Sequence, residues 1–165
     1  MTKRAIYIDP DTGVLAVVNP AYNDGSRPSG ESDDDFFTRV VDRAVPDGVT
    51  YRVIDDADTA TLAFLRERTF RGAWEHDADG VPTVNMPKAR GIHMDVIRKV
   101  RNTELAAKDI TFMRAVEAGD TSAQSTVAIE KQTLRDIPQT FDLTTDNDTP
   151  LELEAKWPSE LPARE

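Results

Sequence analysis

The two histidines, His76 and His93, are the side chains whose ordinary pKa lies closest to neutral pH, so they are the first candidates for acid–base or metal chemistry. They fall in different predicted elements, and no His-x-x-x-His spacing would place two ring nitrogens on one helix face. Asp95 and a serine could be drawn into a triad with His93. However, the chain has no Gly-x-Ser-x-Gly turn to present the serine. The histidines therefore predict neither a zinc site nor a hydrolase.

Two acidic segments have a spacing that superficially resembles a calcium loop. They comprise Asp9, Asp11 and Gly13, and then Asp146 and Asp148. Neither continues with the glycine at position six and the glutamate at position twelve that an EF-hand needs, and turn propensity explains both. No glycine-rich phosphate loop occurs either. We therefore predict no catalytic residues, no metal site and no cofactor.

Aromatic residues next to polar ones suggest protein–protein contacts instead of catalysis. Phe70 and Trp74 stand four residues apart with Arg71 between them, which is typical both of an interface anchor and of a core corner. Trp157 beside Pro158 lies in a polar segment where local burial is difficult. We expect this pair to dock, either onto this protein or onto another one.

Charge and composition exclude several classes of protein. The 165 residues carry a formal net charge of -10, which disfavours binding to a polyphosphate backbone, so no nucleic-acid partner is expected. The absence of cysteine excludes disulfide scaffolds and thiolate zinc sites. No apolar stretch approaches the roughly 20 residues of a membrane span, and the first residues do not form a secretory signal. The sequence predicts a soluble, non-exported protein that does not bind a membrane.

Residues 1–85 are predicted to form a small α+β domain. Two β-rich runs, Ala5–Ile8 and Val14–Val18, flank a turn that contains proline and glycine, and they predict a β-hairpin. Ser32 can cap a helix, and Val49–Ile54 returns as a strand. The result is a ββαβ unit.

Residues 86–138 are predicted to form a long antiparallel helical hairpin. The first helix begins at Met86 or Pro87 and runs to about Ala118, and the segment Gly119–Thr121 supplies a helix stop followed by a new cap. A second apolar face then continues to Pro138. In residues 139–165 we predict one short helix, opened by a Thr149–Glu152 capping box, and then an extended tail. The predicted fold class is therefore α+β.

Two segments resemble known phage proteins. The run Gln132–Pro138, followed by Trp157-Pro158 and Leu161-Pro162, resembles the C-terminal part of tailed-phage tail-fibre assembly chaperones over about thirty residues. Thr69–Trp74 and Met86–Arg98 look like segments of phage and prophage proteins encoded near tail genes. In the chaperone family, the proteins assist the folding or trimerisation of fibre adhesins.

The resemblance implies a tail-fibre or tail-spike assembly chaperone, with a fibre or spike protein as its partner and the host cytoplasm as its place of action during phage assembly. The expected partner-binding or organising positions are Phe70, Arg71, Trp74, Leu134, Arg135, Asp136, Trp157 and Pro158. One alternative is a structural adaptor retained in the virion tail or baseplate, in contact with other tail proteins. Another, motivated by the net charge, is an acidic inhibitor that mimics nucleic acid and blocks a host defence complex.

Overall fold

A computed structural model describes residues 2–145 and 148–164. It confirms the α+β class, with a small antiparallel sheet region followed by long helices and a short C-terminal helix. The chain divides into two compact units, Met1–Asn85 and Met86–Glu165. In the described part of the chain, no helix is long and apolar enough to cross a membrane.

A three-stranded antiparallel sheet organises the first unit. It consists of β1 (Arg4–Ile8), β2 (Leu15–Val18) and β3 (Arg52–Ile54) in the order β2-β1-β3. Because side chains alternate along a strand, the sheet has two apolar faces. The predicted hairpin and ββαβ order are confirmed, although β3 is shorter than the predicted run Val49–Ile54.

Helix α1 (Asp33–Ala44) covers one face of this sheet. The Ser32 hydroxyl accepts a hydrogen bond of 3.1 Å from the Asp35 amide, which closes the first turn as the sequence predicts. The buried cluster on this face combines side chains of the helix and the strands: Ala5, Val18, Phe37, Val41 and Val45.

Shorter elements cover the opposite face. They are α2 (Thr59–Phe64), a 3-10 turn (Arg71–Ala73) and a hairpin of β4 (Trp74–His76) with β5 (Pro82–Val84). The buried cluster here is formed by Ile6, Leu15, Ile54 and Trp74, with Leu62, Phe64 and Leu65 packed against it.

The second unit is built on α3 (Met86–Glu117) and α4 (Thr121–Thr140), which pack as an antiparallel hairpin. The predicted hairpin is confirmed, but α4 continues past Pro138 to Thr140. Pro138 lacks the amide that would donate to the Leu134 carbonyl, but the Phe141 amide donates a hydrogen bond of 2.9 Å to the Ile137 carbonyl and closes the helical turn beyond the proline.

Polar contacts between the two helices fix their register. Lys108 Nζ lies 2.7 Å from a Glu130 carboxylate oxygen, and Lys131 pairs with Asp109 one residue further along each helix. At 1.5 Å per residue, the 32 residues of α3 span about 48 Å and the 20 residues of α4 about 30 Å. Helix α4 therefore leaves the N-terminal part of α3 to be covered by other residues.

The C-terminal segment supplies that cover. Helix α5 (Pro150–Ala155) begins with the predicted capping box between Thr149 and Glu152, and it packs against α3. Leu153, on the inner side of α5, is completely buried. The described part of residues 139–165 thus packs in the same compact unit as the helical hairpin.

The turn between α3 and α4 provides a test of the hairpin. Gly119 has φ = 65°, a conformation that costs other residues about 1–2 kcal/mol, so Gly119→Ala should lower the free energy of unfolding by about 1 kcal/mol. Gly91, inside α3, is the matched control. A Cβ there meets no atom within 4 Å, so Gly91→Ala should raise stability by about 0.5–1 kcal/mol. Urea unfolding followed by circular dichroism measures both, and equal effects of the two substitutions would contradict the left-handed turn.

Candidate functional site

The aromatic pair predicted in the first unit is buried, and Trp74 belongs to the core of that unit. Phe70 is 3% exposed and Trp74 is 2% exposed, and the Trp74 ring lies 5.3 Å from that of Phe64 between centroids. Arg71 is exposed. A partner could reach either ring only if this core opened, whereas Arg71 is accessible as it stands. Partner binding by these three residues stays a prediction, and for the aromatic pair the geometry favours an organising role.

The Leu134-Arg135-Asp136 run in α4 divides between the interior and the surface. Leu134 is buried, while Arg135 and Asp136 are exposed. The Asp136 carboxylate accepts a hydrogen bond of 2.8 Å from the Gln132 side-chain amide one turn earlier. Leu134 therefore anchors the helix, and the two charged residues are available to contact another molecule.

Residues 156–164, which we name the C-terminal clasp, fold back onto the helical hairpin of the second unit. The Trp157 indole is partly buried, and its Nε1 donates a hydrogen bond of 2.9 Å to the Pro162 carbonyl. The Arg164 guanidinium carbon lies 5.4 Å from the centroid of the Trp157 ring, within cation–π range. Pro158 is among the fully buried residues. Trp157 and Pro158 therefore dock onto this protein itself, one of the two expectations drawn from the sequence.

A surface depression shows where the clasp meets the hairpin. It is lined by Leu161 and Pro162 from the clasp together with residues of both long helices, including Lys108, Glu130 and Leu134. Leu161 itself is buried. Leu134 of α4 and Leu161 of the clasp thus belong to one packed region.

His93 holds the clasp at the opposite end and was considered from the sequence only as a catalytic or metal residue. Its ring is 1% exposed, and its Nε2 lies 2.7 Å from the Lys156 carbonyl, which can only accept, so Nε2 carries the proton and donates. The ring also meets Trp157 edge-on, with 6.0 Å between centroids. Its spacing from the buried Ala89 and Ile97 places it on the apolar stripe of α3. That spacing is the sequence signal for a core histidine.

Burial lowers the pKa of His93 below its ordinary value of 6.5, and the positive charge of Arg164 lowers it further. The Lys156 hydrogen bond and the carboxylate of Glu154 act in the opposite direction but do not outweigh the desolvation. His93 is therefore neutral at neutral pH.

This lowered pKa predicts acid sensitivity of the second unit. Below pH 6.5 His93 becomes protonated in the unfolded chain but stays neutral in the folded chain. The free energy of unfolding is therefore greatest above that pH and declines as the pH falls towards the folded-state pKa of His93. Urea unfolding between about pH 7.5 and about pH 5 should show this decline, and His93→Gln should remove it. His76→Gln, at an exposed ring, is the control. A decline that His93→Gln leaves unchanged would show that another group titrates.

The outward faces of the hairpin carry large apolar side chains that sequence reasoning did not select. Ile110 and Met113 on α3 are 57% and 55% exposed, and Ile129 on α4 is 69% exposed. Ile110 and Met113 lie one turn apart and share a shallow depression lined by α3 residues alone. We call Ile110, Met113 and Ile129 the outer apolar residues. Their contribution to binding would be hydrophobic, without any bond-making chemistry.

Within residues 2–145 and 148–164, no group of three or more histidine, aspartate or glutamate side chains is placed to hold a metal ion. Comparisons with protein-family models, with curated proteins and with solved structures gave no match to this chain.

Proposed function

We propose that this protein is an assembly chaperone for a phage tail fibre or tail spike, and that its helical hairpin binds the immature fibre polypeptide. The observation that carries the proposal is the exposure of Ile110, Met113 and Ile129 on the two helices of the hairpin. Near the tip of the hairpin the buried side chains are small, namely Ala115 and Val127. Exposed apolar side chains along a helix suit docking against an apolar stretch of another polypeptide.

Polar groups beside these side chains favour reversible binding. Arg114 and Glu117 line the same depression as Ile110 and Met113, and Asp136 lies seven residues after Ile129 on the outer side of α4. An apolar centre with a polar rim is the usual composition of an interface between proteins that also exist apart.

The position of the clasp supports the same proposal. The residues that resemble fibre chaperones, Leu134, Trp157 and Pro158, close the base of the hairpin and leave its outer faces uncovered. The net charge of -10 would keep the chaperone, and a complex with an unfinished fibre, soluble through mutual repulsion.

Co-expression with the fibre or spike encoded by a neighbouring gene tests the proposal. The wild-type chain should raise the yield of soluble fibre trimer, and Ile110→Asp and Ile129→Asp should each reduce that gain, because a carboxylate cannot be buried cheaply in the interface. Leu151→Asp is the matched control, since Leu151 is 77% exposed and belongs to α5, not to the two helices of the hairpin.

Two outcomes would contradict the proposal. One is an unchanged trimer yield with the wild-type chain, and the other is an equal loss with Leu151→Asp. Mass spectrometry of purified virions separates the chaperone from the adaptor, because a chaperone leaves the mature particle and an adaptor remains in a fixed ratio to the tail proteins.

A further inference from the structure

A cleft of about 610 Å³ in the first unit collects arginine side chains on an otherwise acidic protein. Its volume lies within the range of about 300–1,000 Å³ that is usual for small-molecule sites. The lining contains four arginines, Arg4, Arg66, Arg68 and Arg71, and one aspartate, Asp56, together with polar and apolar side chains.

The packing of the first unit explains how these arginines are held together. Arg66, Arg68 and Arg71 lie on the connection between α2 and β4. The connection is anchored at one end by Phe64 and Leu65, which pack on the core, and at the other by buried Trp74. Because both ends are fixed, the guanidinium groups are presented around the cleft by a short, tethered segment. Arg4 reaches the same cleft from β1.

The cleft has little negative charge to neutralise its arginines. The Asp56 carboxylate already accepts a hydrogen bond of 2.9 Å from the Thr2 amide and lies 3.5 Å from Arg4. These contacts, the Thr2 amide foremost, lower the pKa of Asp56. Among residues 2–145 and 148–164, no carboxylate lies within 4.0 Å of the Arg66, Arg68 or Arg71 guanidinium groups. Three cations grouped in this way repel one another unless an anion joins them.

We propose that this cleft binds a small organic molecule that carries two or more phosphoryl groups. Guanidinium groups match phosphoryl oxygens through paired N–H donors, and several arginines around one cleft suit more than one such group. The side chains of Val17, Leu62 and Leu65 offer an apolar surface for the organic part of the ligand, and Thr59 and Asn19 add hydrogen-bonding groups.

A small ligand fits this chain better than a nucleic acid. The net charge of -10 repels a long polyanion, whereas a compact anion experiences mainly the local field of the cleft. This inference goes beyond the chaperone proposal, since the cleft is formed by the first unit and the outer apolar residues belong to the second.

Isothermal titration calorimetry of the full chain at low salt tests the inference, with inorganic pyrophosphate and metal-free adenosine triphosphate as the probes. Both should bind. The double variant Arg66→Ala/Arg71→Ala should weaken each by at least about tenfold, because it removes two charge-assisted contacts from opposite ends of the connection. Arg43→Ala, an exposed arginine in the last turn of α1 and outside the cleft, should leave binding unchanged.

Three results would overturn the inference. The first is absence of binding by both probes, and the second is equal weakening by Arg43→Ala, which would indicate attraction to surface charge in general. The third is tighter binding of a single-stranded oligonucleotide than of either small probe, which would identify the ligand as a nucleic acid. Stronger binding of adenosine triphosphate than of pyrophosphate would support the role of the apolar lining.

Discussion

Truncating Trp74 to alanine is expected to lower the free energy of unfolding by about 3–5 kcal/mol, the usual cost of removing a buried aromatic side chain. Trp74 is 2% exposed and belongs to the buried cluster with Ile6, Leu15 and Ile54. The substitution would also remove the contact with the Phe64 ring and one anchor of the connection after α2. Urea unfolding at neutral pH, followed by far-ultraviolet circular dichroism, measures the loss.

Arg71→Ala is the matched control, three residues earlier in the same motif. Arg71 is exposed, so its truncation should change stability by no more than about 0.5 kcal/mol. If Arg71→Ala proved as damaging as Trp74→Ala, the aromatic ring would not be the structural element of this motif. Trp74→Phe is a second variant that keeps the test usable where Trp74→Ala fails to fold, and it should retain most of the stability by refilling much of the cavity.

Local chemistry made most of the elements predictable. Ser32, Thr149 and Gly119 act within a few residues of their own positions, through a hydroxyl cap, a capping box and a left-handed turn. Their effects do not depend on which elements later pack together. The sequence therefore indicated where α1 and α5 begin and where α3 ends. Pro138 is the exception. Its position predicted the end of α4, but the helix continues for two more residues, and the Phe141 amide closes the last turn on the Ile137 carbonyl.

Long-range packing decided what the sequence left open. Phe70 and Trp74 suited a core corner and an interface equally, and the fold buries both, with Trp74 packed against Ile6, Leu15 and Ile54 on the sheet. His93 suited catalysis in principle, yet its partner is the Lys156 carbonyl, 63 residues away. No spacing rule connects these two positions, so the contact between His93 and the clasp could be recognised only once the fold was known.

The candidate binding surfaces were hidden for the same reason. In the sequence, Ile110 and Met113 are part of a continuous helical pattern. They are exposed because they lie on the side of α3 that α4 does not cover. The arginine cleft combines Arg4 of the first strand with residues more than sixty positions later. Charge summed along the sequence shows an acidic chain and conceals this local cluster of cations.

Replacing Leu153 with alanine is the second change for which we expect a large effect, a loss of about 3–5 kcal/mol in the stability of the second unit. Leu153 is 0% exposed and lies on a helix of six residues, which is too short to persist in water without tertiary packing. Loss of this anchor should therefore release α5 and, with it, the clasp that follows. Leu151→Ala is the control on the same helix, since Leu151 is 77% exposed and should cost no more than about 0.5 kcal/mol.

His93 reports whether the clasp itself has been released. In the intact protein its pKa is held below 6.5 by burial, so in Leu153→Ala a nuclear magnetic resonance titration should show the pKa rising towards that ordinary value. A general loosening of the hairpin would lower stability without this specific shift. If Leu153→Ala lost stability while the His93 pKa stayed depressed, α5 would not be the anchor of the clasp. The clasp would then be held by its own contacts, Pro158 and Leu161 first among them, because both are buried.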